Sequence, residues 1–443
     1  MKRSNLKFYA LAAAMVCLTA CTKDDPDAIS QDPPQEDPVA LTFKDMESDW
    51  VRLTLMGENK LDVMQADSGD ITYSVAGPLV EGARYYVSNS GRYQSVVDRN
   101  GGKVRFFDSG IVNHEDHGHE YEAKWANAEI NSVLPTHLTG SGGHIVVFND
   151  GDGSISYVNE SQLEIPSYQP ETFTFNNTVA HHGVGIRLNS GKFAVTFKNT
   201  EEPGGIPQMV MFVNGDGTVI DNNGGVEVVG IHGSANNGAY GAFGSTDGII
   251  VVDDRDNIDL IPYTDGKLRN EPGFWLGTLK SHQNSALFYG RARNLGIYTV
   301  DPEAKSILPL YEGANVVSDM FSFNGAFYLL LTDDGNLRVY DANTATLLTE
   351  RVVEMAEIPD APTVTSKSMN SEIAQLQKQE EPSPVLVCSD KFLYVLAPNR
   401  TQIKVLKIES LEHVHTIDLE TPVISMMKNG FSIEGDQNPD YEH

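Results

Sequence analysis

The sequence predicts an all-β fold, a β-propeller of seven four-stranded blades, and three observations carry that reading. A run of alternating β-branched or aromatic residues ending in Asp, Asn or Glu recurs seven times: Gln94–Asp98, Ile155–Asn159, Met211–Asn214, Ile249–Asp253, Ile297–Asp301, Leu337–Asp341 and Val405–Glu409. Glycine-rich turns and abundant Val, Ile, Phe and Tyr accompany them, with few long amphipathic helical patterns. Histidines recur through the middle of the chain at a nearly constant pitch, His137, His182, His232 and His282, separated by 45, 50 and 50 residues.

The turns come first. Asp152-Gly153, Asp247-Gly248 and Asp334-Gly335 each precede one of the seven runs. Such dipeptides suit tight hairpins, because Gly and Asp accept the positive φ that these loops need. The acidic or amide ends of the runs are 61, 55, 39, 48, 40 and 68 residues apart. The base pitch of about 40 is the length of one blade. The long intervals hold insertions: a histidine cluster in the first, and the polar stretch from Glu354 to Pro384, in part helical in pattern, in the last. Irregular intervals also admit eight blades or a distorted six, whereas a two-sheet sandwich would have to accommodate too many strands.

At the N-terminus, Lys2, Arg3 and Lys7 precede the apolar stretch Phe8–Leu18, which is too short to span a membrane. It runs into Leu18-Thr19-Ala20-Cys21, a bacterial lipobox. Residues 1–20 are therefore expected to be a signal peptide, with Cys21 lipidated and 21–38 an acidic, Pro-rich disordered tether. Residues 39–432 form the expected propeller and 433–443 a disordered tail. Multiple acyl chains anchor stably where one does not. The expected location is a lipoprotein facing the periplasm or cell surface, the outer membrane favoured, with the lipid as its one membrane contact. Of three cysteines, Cys17, Cys21 and Cys388, a single one remains for the folded body, so no intramolecular disulfide is expected. The formal charge of −29 becomes −32 once three basic residues leave with the signal. Nucleic acid is disfavoured as a partner on that balance, and cations or basic surfaces are favoured.

The innermost strand of each blade lines the channel, and it follows the outer strand of the preceding blade. The four repeated histidines fall at that place in successive blades, so their imidazoles, the commonest metal-ligating side chains, would approach one mouth of the channel. A lone histidine there is usually a hydrogen-bonded wall residue, and both readings stay open for the set of four. Strand alternation turns one of His181 and His182 away, and the register with Gly183 selects His182 as inward. Gly183 and Gly233 would let the inner strands approach closely. Upstream, His117-Gly118-His119 puts two imidazoles on one side of an extended segment, flanked by Asp116 and Glu120. His114 and His117 are three apart, so the His-Glu-x-x-His motif of zinc proteases is absent. Mixed His and carboxylate donors suit Zn2+, although copper or nickel would bind comparably in solution. His413 and His415 are read as solvent-facing on an outer strand, and His114, His144 and His443 are weaker candidates still.

From this cluster to about residue 310 the chain resembles the AztD family of periplasmic zinc metallochaperones, which are β-propellers. The motifs are His117-Gly118-His119, Pro135-Thr136-His137, His181-His182-Gly183-Val184, Gly230-Ile231-His232-Gly233 and Asp247-Gly-Ile-Ile-Val-Val-Asp253. The resemblance implies zinc binding and transfer to the solute-binding protein of a zinc ABC importer. It also implies His117, His119, His137, His182, His232 and His282 as zinc ligands, divided between two sites. Two departures stand out: Val228 and Ser245 occupy places where the family tends to carry cysteine, and this chain has a lipobox where family members are soluble. An outer-membrane anchor would separate the protein from an inner-membrane importer.

The function expected is capture and transfer of zinc without catalytic turnover. A metal-dependent lyase or hydrolase at the channel mouth is the enzymatic alternative, and no carboxylate or Tyr stands out as its acid/base partner. A surface interaction scaffold with incidental histidines is the other.

Overall fold

The computed structural model describes residues 43–432 apart from 78–79, 81, 115–116, 177, 221 and 358–381. The expected signal peptide, lipidation site Cys21, tether and tail, and most of the Glu354–Pro384 insertion, lie outside the described residues. Within them the fold is a β-propeller of eight four-stranded sheets, not seven. Its one α-helix among the described residues is the single turn Phe43–Met46.

Blades 2 to 8 are each read off the chain in order, starting at Arg84, Pro135, Gly185, Ile231, Thr278, Val316 and Val385. Blade 1 is split. Its three outer strands are Val51–Met56, Lys60–Gln65 and Ile71–Ala76, and its innermost strand is Ser425–Gly430 from the far end of the chain. All six residues of Val51–Met56 pair antiparallel with this closing strand. This blade is the one the seven-fold repeat missed, because its third strand, Lys60–Gln65, does not end in the repeated acidic residue. The first repeat copy also lay one strand off. Tyr93–Asp98 is the second strand of blade 2, and the third is Lys103–Asp108, which shows the same pattern.

Every interface between neighbouring blades is an apolar cluster, and the eight clusters account for the core of the described residues. Leu53, Leu55 and Met426 of blade 1 pack on Tyr394, Leu396 and Val405 of blade 8. Val146 and Phe148 of blade 3 pack on Phe193, Val195 and Phe197 of blade 4. Ile186 and Phe212 of blade 4 meet Phe243 and Ile250 of blade 5. These middle strands are buried on both faces, which explains why they read as continuous apolar runs.

Antiparallel order fixes which face each connection occupies. Turns between first and second strands, and between third and fourth, open on one face. Turns between second and third strands, and the links from blade to blade, open on the other. Blade 2 carries an insertion between its third and fourth strands, the two-stranded hairpin Ile111–His114 with His117–Glu120. That hairpin opens on the first of these faces, while His137, His182 and His232 lie at blade-to-blade links on the second.

Asn429 on the closing strand joins blades 1 and 2. Its Oδ1 accepts from Thr54 Oγ1 at 2.9 Å and from Gln94 Nε2, and its Nδ2 donates to the Gly91 carbonyl at 3.0 Å. Asn429→Ala should therefore destabilise by roughly 2–4 kcal/mol, since it strands buried partners on two blades. Guanidinium denaturation midpoints would measure this, and a loss under about 0.5 kcal/mol would show that closure does not rest on this network.

Candidate metal centre

Two groups of three histidines gather among the described residues, His137–His182–His232 and His114–His117–His119, each with ligand nitrogens within 4.8 Å of one another. The first draws one residue from each of three consecutive blades. Backbone irregularity aims two of them. The inner strand of blade 3 is bulged between Pro135 and His137, and that of blade 5 between Ile231 and Ser234. A bulge re-aims a side chain by inserting one residue into the ladder. At the second bulge Gly233 adopts φ +77°, and a Cβ there would sit 2.5 Å from the Gly277 carbonyl oxygen. That same carbonyl accepts a hydrogen bond from His232 Nδ1 at 2.7 Å.

His182 Nδ1 donates to Asp150 Oδ2 at 2.8 Å, so in the neutral form of each ring His182 and His232 carry the proton on Nδ1 and leave Nε2 free to ligate. His137 Nε2 lies 3.0 Å from His182 Nε2, and the ring centroids of the three imidazoles are 4.6, 5.5 and 5.1 Å apart. Nitrogens 2.0–2.1 Å from a tetrahedral zinc ion are about 3.3 Å apart, so only small shifts would seat an ion. Carboxylate or carbonyl bonds to the outer nitrogens of ligating histidines are the usual way the inner ones are oriented and kept basic. Three protein donors leave a fourth position open. The rings are partly exposed at the channel mouth, not sealed.

Asp150 is 6% exposed, in the turn between the second and third strands of blade 3. Burial works to raise its pKa, but the bonds from His182 and from Arg99, at 3.0 Å, hold the carboxyl below the usual range. Its charge therefore persists to support His182. His137 is pushed down to about 3, first by burial and then by the neighbouring His182 and His232. It stays neutral, the form that ligates metal.

The structure separates the remaining histidines. His181, 2% exposed, turns between blades 3 and 4, with Nδ1 2.7 Å from the Val179 carbonyl, Nε2 3.2 Å from the Thr196 carbonyl and Phe148 edge-on at 4.9 Å. His282 joins neither triad. Its Nε2 donates to the Phe323 carbonyl at 2.9 Å and its Nδ1 accepts from the Asn284 amide at 3.1 Å, so both ring nitrogens are already engaged. His413 is exposed on the outer strand of blade 8, while His415 stacks on Phe43 at 5.5 Å.

The second triad is built by the hairpin on the opposite face. His114 pairs directly across from His117, and His119 follows two residues on, so all three share one side, with centroids 4.8–5.5 Å apart. The other side is fastened to blade 1. The Trp50 indole lies flat where a Cβ on Gly118 would be, and buried Arg52 pairs with Glu120 at 3.0 Å. Glu120 is thus committed to Arg52 and faces away from the imidazoles, and Asp116 lies outside the described residues. His114, a weaker candidate in sequence, joins because it ends one strand of a hairpin and pairs with His117, which begins the other.

The eight-bladed propeller thus gathers three convergent imidazoles at its channel mouth, a set that could hold a metal ion with one position left open. The comparisons are specific. The chain is 25% identical over 412 residues to the zinc chaperone AztD of Citrobacter koseri, covering 89% of this chain and 90% of that protein. Two solved structures of AztD from Citrobacter koseri share its fold, each with a TM-score of 0.69. The identities are 22% and, for the apo form, 21%, and both cover 86% of this chain. The resemblance carried by the motifs thus extends across nearly the whole propeller. No protein-family model matches the chain.

Burial also depresses His144, to about 4, and lowers His181. Folded-state values below the unfolded value near 6.5 mean that the unfolded chain binds more protons, so stability is lost as pH falls. The metal-free protein should lose stability steadily from pH 6.5 to 5, before most carboxylates titrate, and His144→Gln should flatten the slope. A denaturation midpoint constant across that window would contradict the burial of these rings.

Proposed function

We propose that this chain is a zinc-binding protein of the chaperone type, which captures Zn2+ at His137, His182 and His232 and passes it to an acceptor without catalytic turnover. The observation that carries the reading is the convergence of three imidazole nitrogens, two with fixed tautomers, at an open mouth. The similarity to a zinc chaperone over most of the chain supports it. Zinc is cargo here. Neutral imidazoles bind it, and either protonation or a better ligand set on the acceptor draws it away. An incomplete three-histidine set favours exchange, whereas a closed four-ligand site would favour retention. His114, His117 and His119 form a second, more exposed station on the opposite face.

The acceptor proposed is the solute-binding protein of a zinc ABC importer, and the chain is proposed to be a lipoprotein anchored through Cys21. The lipobox supports the anchor, and Cys21→Ala should move the protein from the membrane to the soluble fraction. Retention of that variant on membranes would remove the lipid anchor.

Metal analysis and competition titration of the purified chain should find two zinc ions. His182→Ala/His232→Ala should abolish one and His114→Ala/His117→Ala the other. Asp150→Ala should weaken the channel-mouth ion by about 10–100-fold, through loss of the His182 support. Stoichiometry unchanged by the His182/His232 pair would exclude the channel-mouth site.

A further inference from the structure

The channel mouth opens on one side into a cleft of about 640 Å3, and His232 forms part of its wall. Ile206, Val229 and Trp275 supply an apolar lining, with the indole edge-on to His232 at 6.3 Å. Arg291 and Arg293 supply the charge. Arg291 donates to the Val316 carbonyl, and neither guanidinium has a carboxylate within ion-pair distance among the described residues. Asp319, which feels the charge of Arg291 from further away, is held by Lys280 at 3.0 Å. In a chain with 61 acidic and 32 basic residues, two arginines without ion-pair partners on one wall run against the overall balance. His232 is the one residue of the triad on the wall of this cleft.

Resting on the reading of the triad as a zinc site, we propose that this cleft binds a small polycarboxylate. One carboxylate lies on Arg291 and Arg293, and another completes the coordination of the ion. Guanidinium groups suit planar, two-oxygen acceptors, and zinc accepts carboxylate oxygen beside imidazole. The volume is that of a small-molecule pocket, which favours a free acid over an extended chain. The protein then carries zinc as a mixed complex, and the acid shields the ion's open side until an acceptor displaces it.

The test uses citrate and the full chain. Zinc is titrated first in the absence of citrate, and failure at that stage falls on the zinc reading itself and takes this inference with it. Citrate is then titrated calorimetrically into zinc-loaded and zinc-free protein, with the metal content checked after gel filtration. The expected result is citrate binding at least about tenfold tighter to the zinc-loaded form. In Arg291→Gln/Arg293→Gln that affinity should fall about tenfold or more, while zinc affinity without citrate stays within about twofold. Arg293→Gln alone, at an exposed position, should show part of the loss and guards against misfolding of the double variant. Four results would overturn the proposal: zinc bound but no citrate taken up, citrate stripping the zinc, equal citrate affinity with and without metal, or an affinity the arginine variants do not change. Tighter binding of inorganic phosphate or of an Asp-rich hexapeptide than of citrate would overturn the ligand class.

Discussion

Everything at the channel mouth depends on the pairing of Ser425–Gly430 with Val51–Met56. The three histidines of the first triad come from three blades, and no hydrogen-bonded ladder connects one blade to the next around them. Their separations are set by blade-to-blade apolar packing, and that packing is held in a ring because the last strand of the chain serves as the innermost strand of the first blade. Asn429 carries the closure one blade further through Gln94 and Gly91. The same strand and its neighbours Trp50 and Arg52 form the seat of the second triad's hairpin. Both candidate sites therefore draw their geometry from one closure.

Within that ring, local devices do the aiming. A bulge displaces the backbone at His137 and another at His232, and the outer nitrogen of each supported ring is tied to an acceptor on a neighbouring turn. These bonds cross from blade to blade: Asp150 of blade 3 holds His182 at the edge of blade 4, and Gly277 before blade 6 holds His232 of blade 5. Each support is a packing contact between blades as well as a constraint on a ligand.

The propeller class was legible because third strands repeat a pattern with a turn dipeptide in front, and the period of that repeat is the blade length. Blade 1 was not, since its four strands come from opposite ends of the sequence and its third strand lacks the acidic close. Histidine pitch pointed to His137, His182 and His232, but it equally pointed to His282, which ends in backbone hydrogen bonds to Phe323 and Asn284. Pitch reports the blade position of a residue and says nothing of which way its side chain turns. Asp150 and Arg291 carried no local signal at all. One reads as an ordinary turn residue and the other as an ordinary strand residue, and each gains its role from a blade that lies elsewhere in sequence.

The first triad draws on three of eight blades, so it is off-centre, with its rings partly exposed. That placement has a kinetic consequence. A fully enclosed ion can leave only after the protein opens, at a rate independent of what waits outside. On the reading of the triad as a zinc site, an ion at this channel mouth would be open to an incoming donor while the imidazoles still held it, and exchange would proceed through a shared intermediate. Its rate would then rise with acceptor concentration, and tight holding and fast hand-over would be compatible in one molecule.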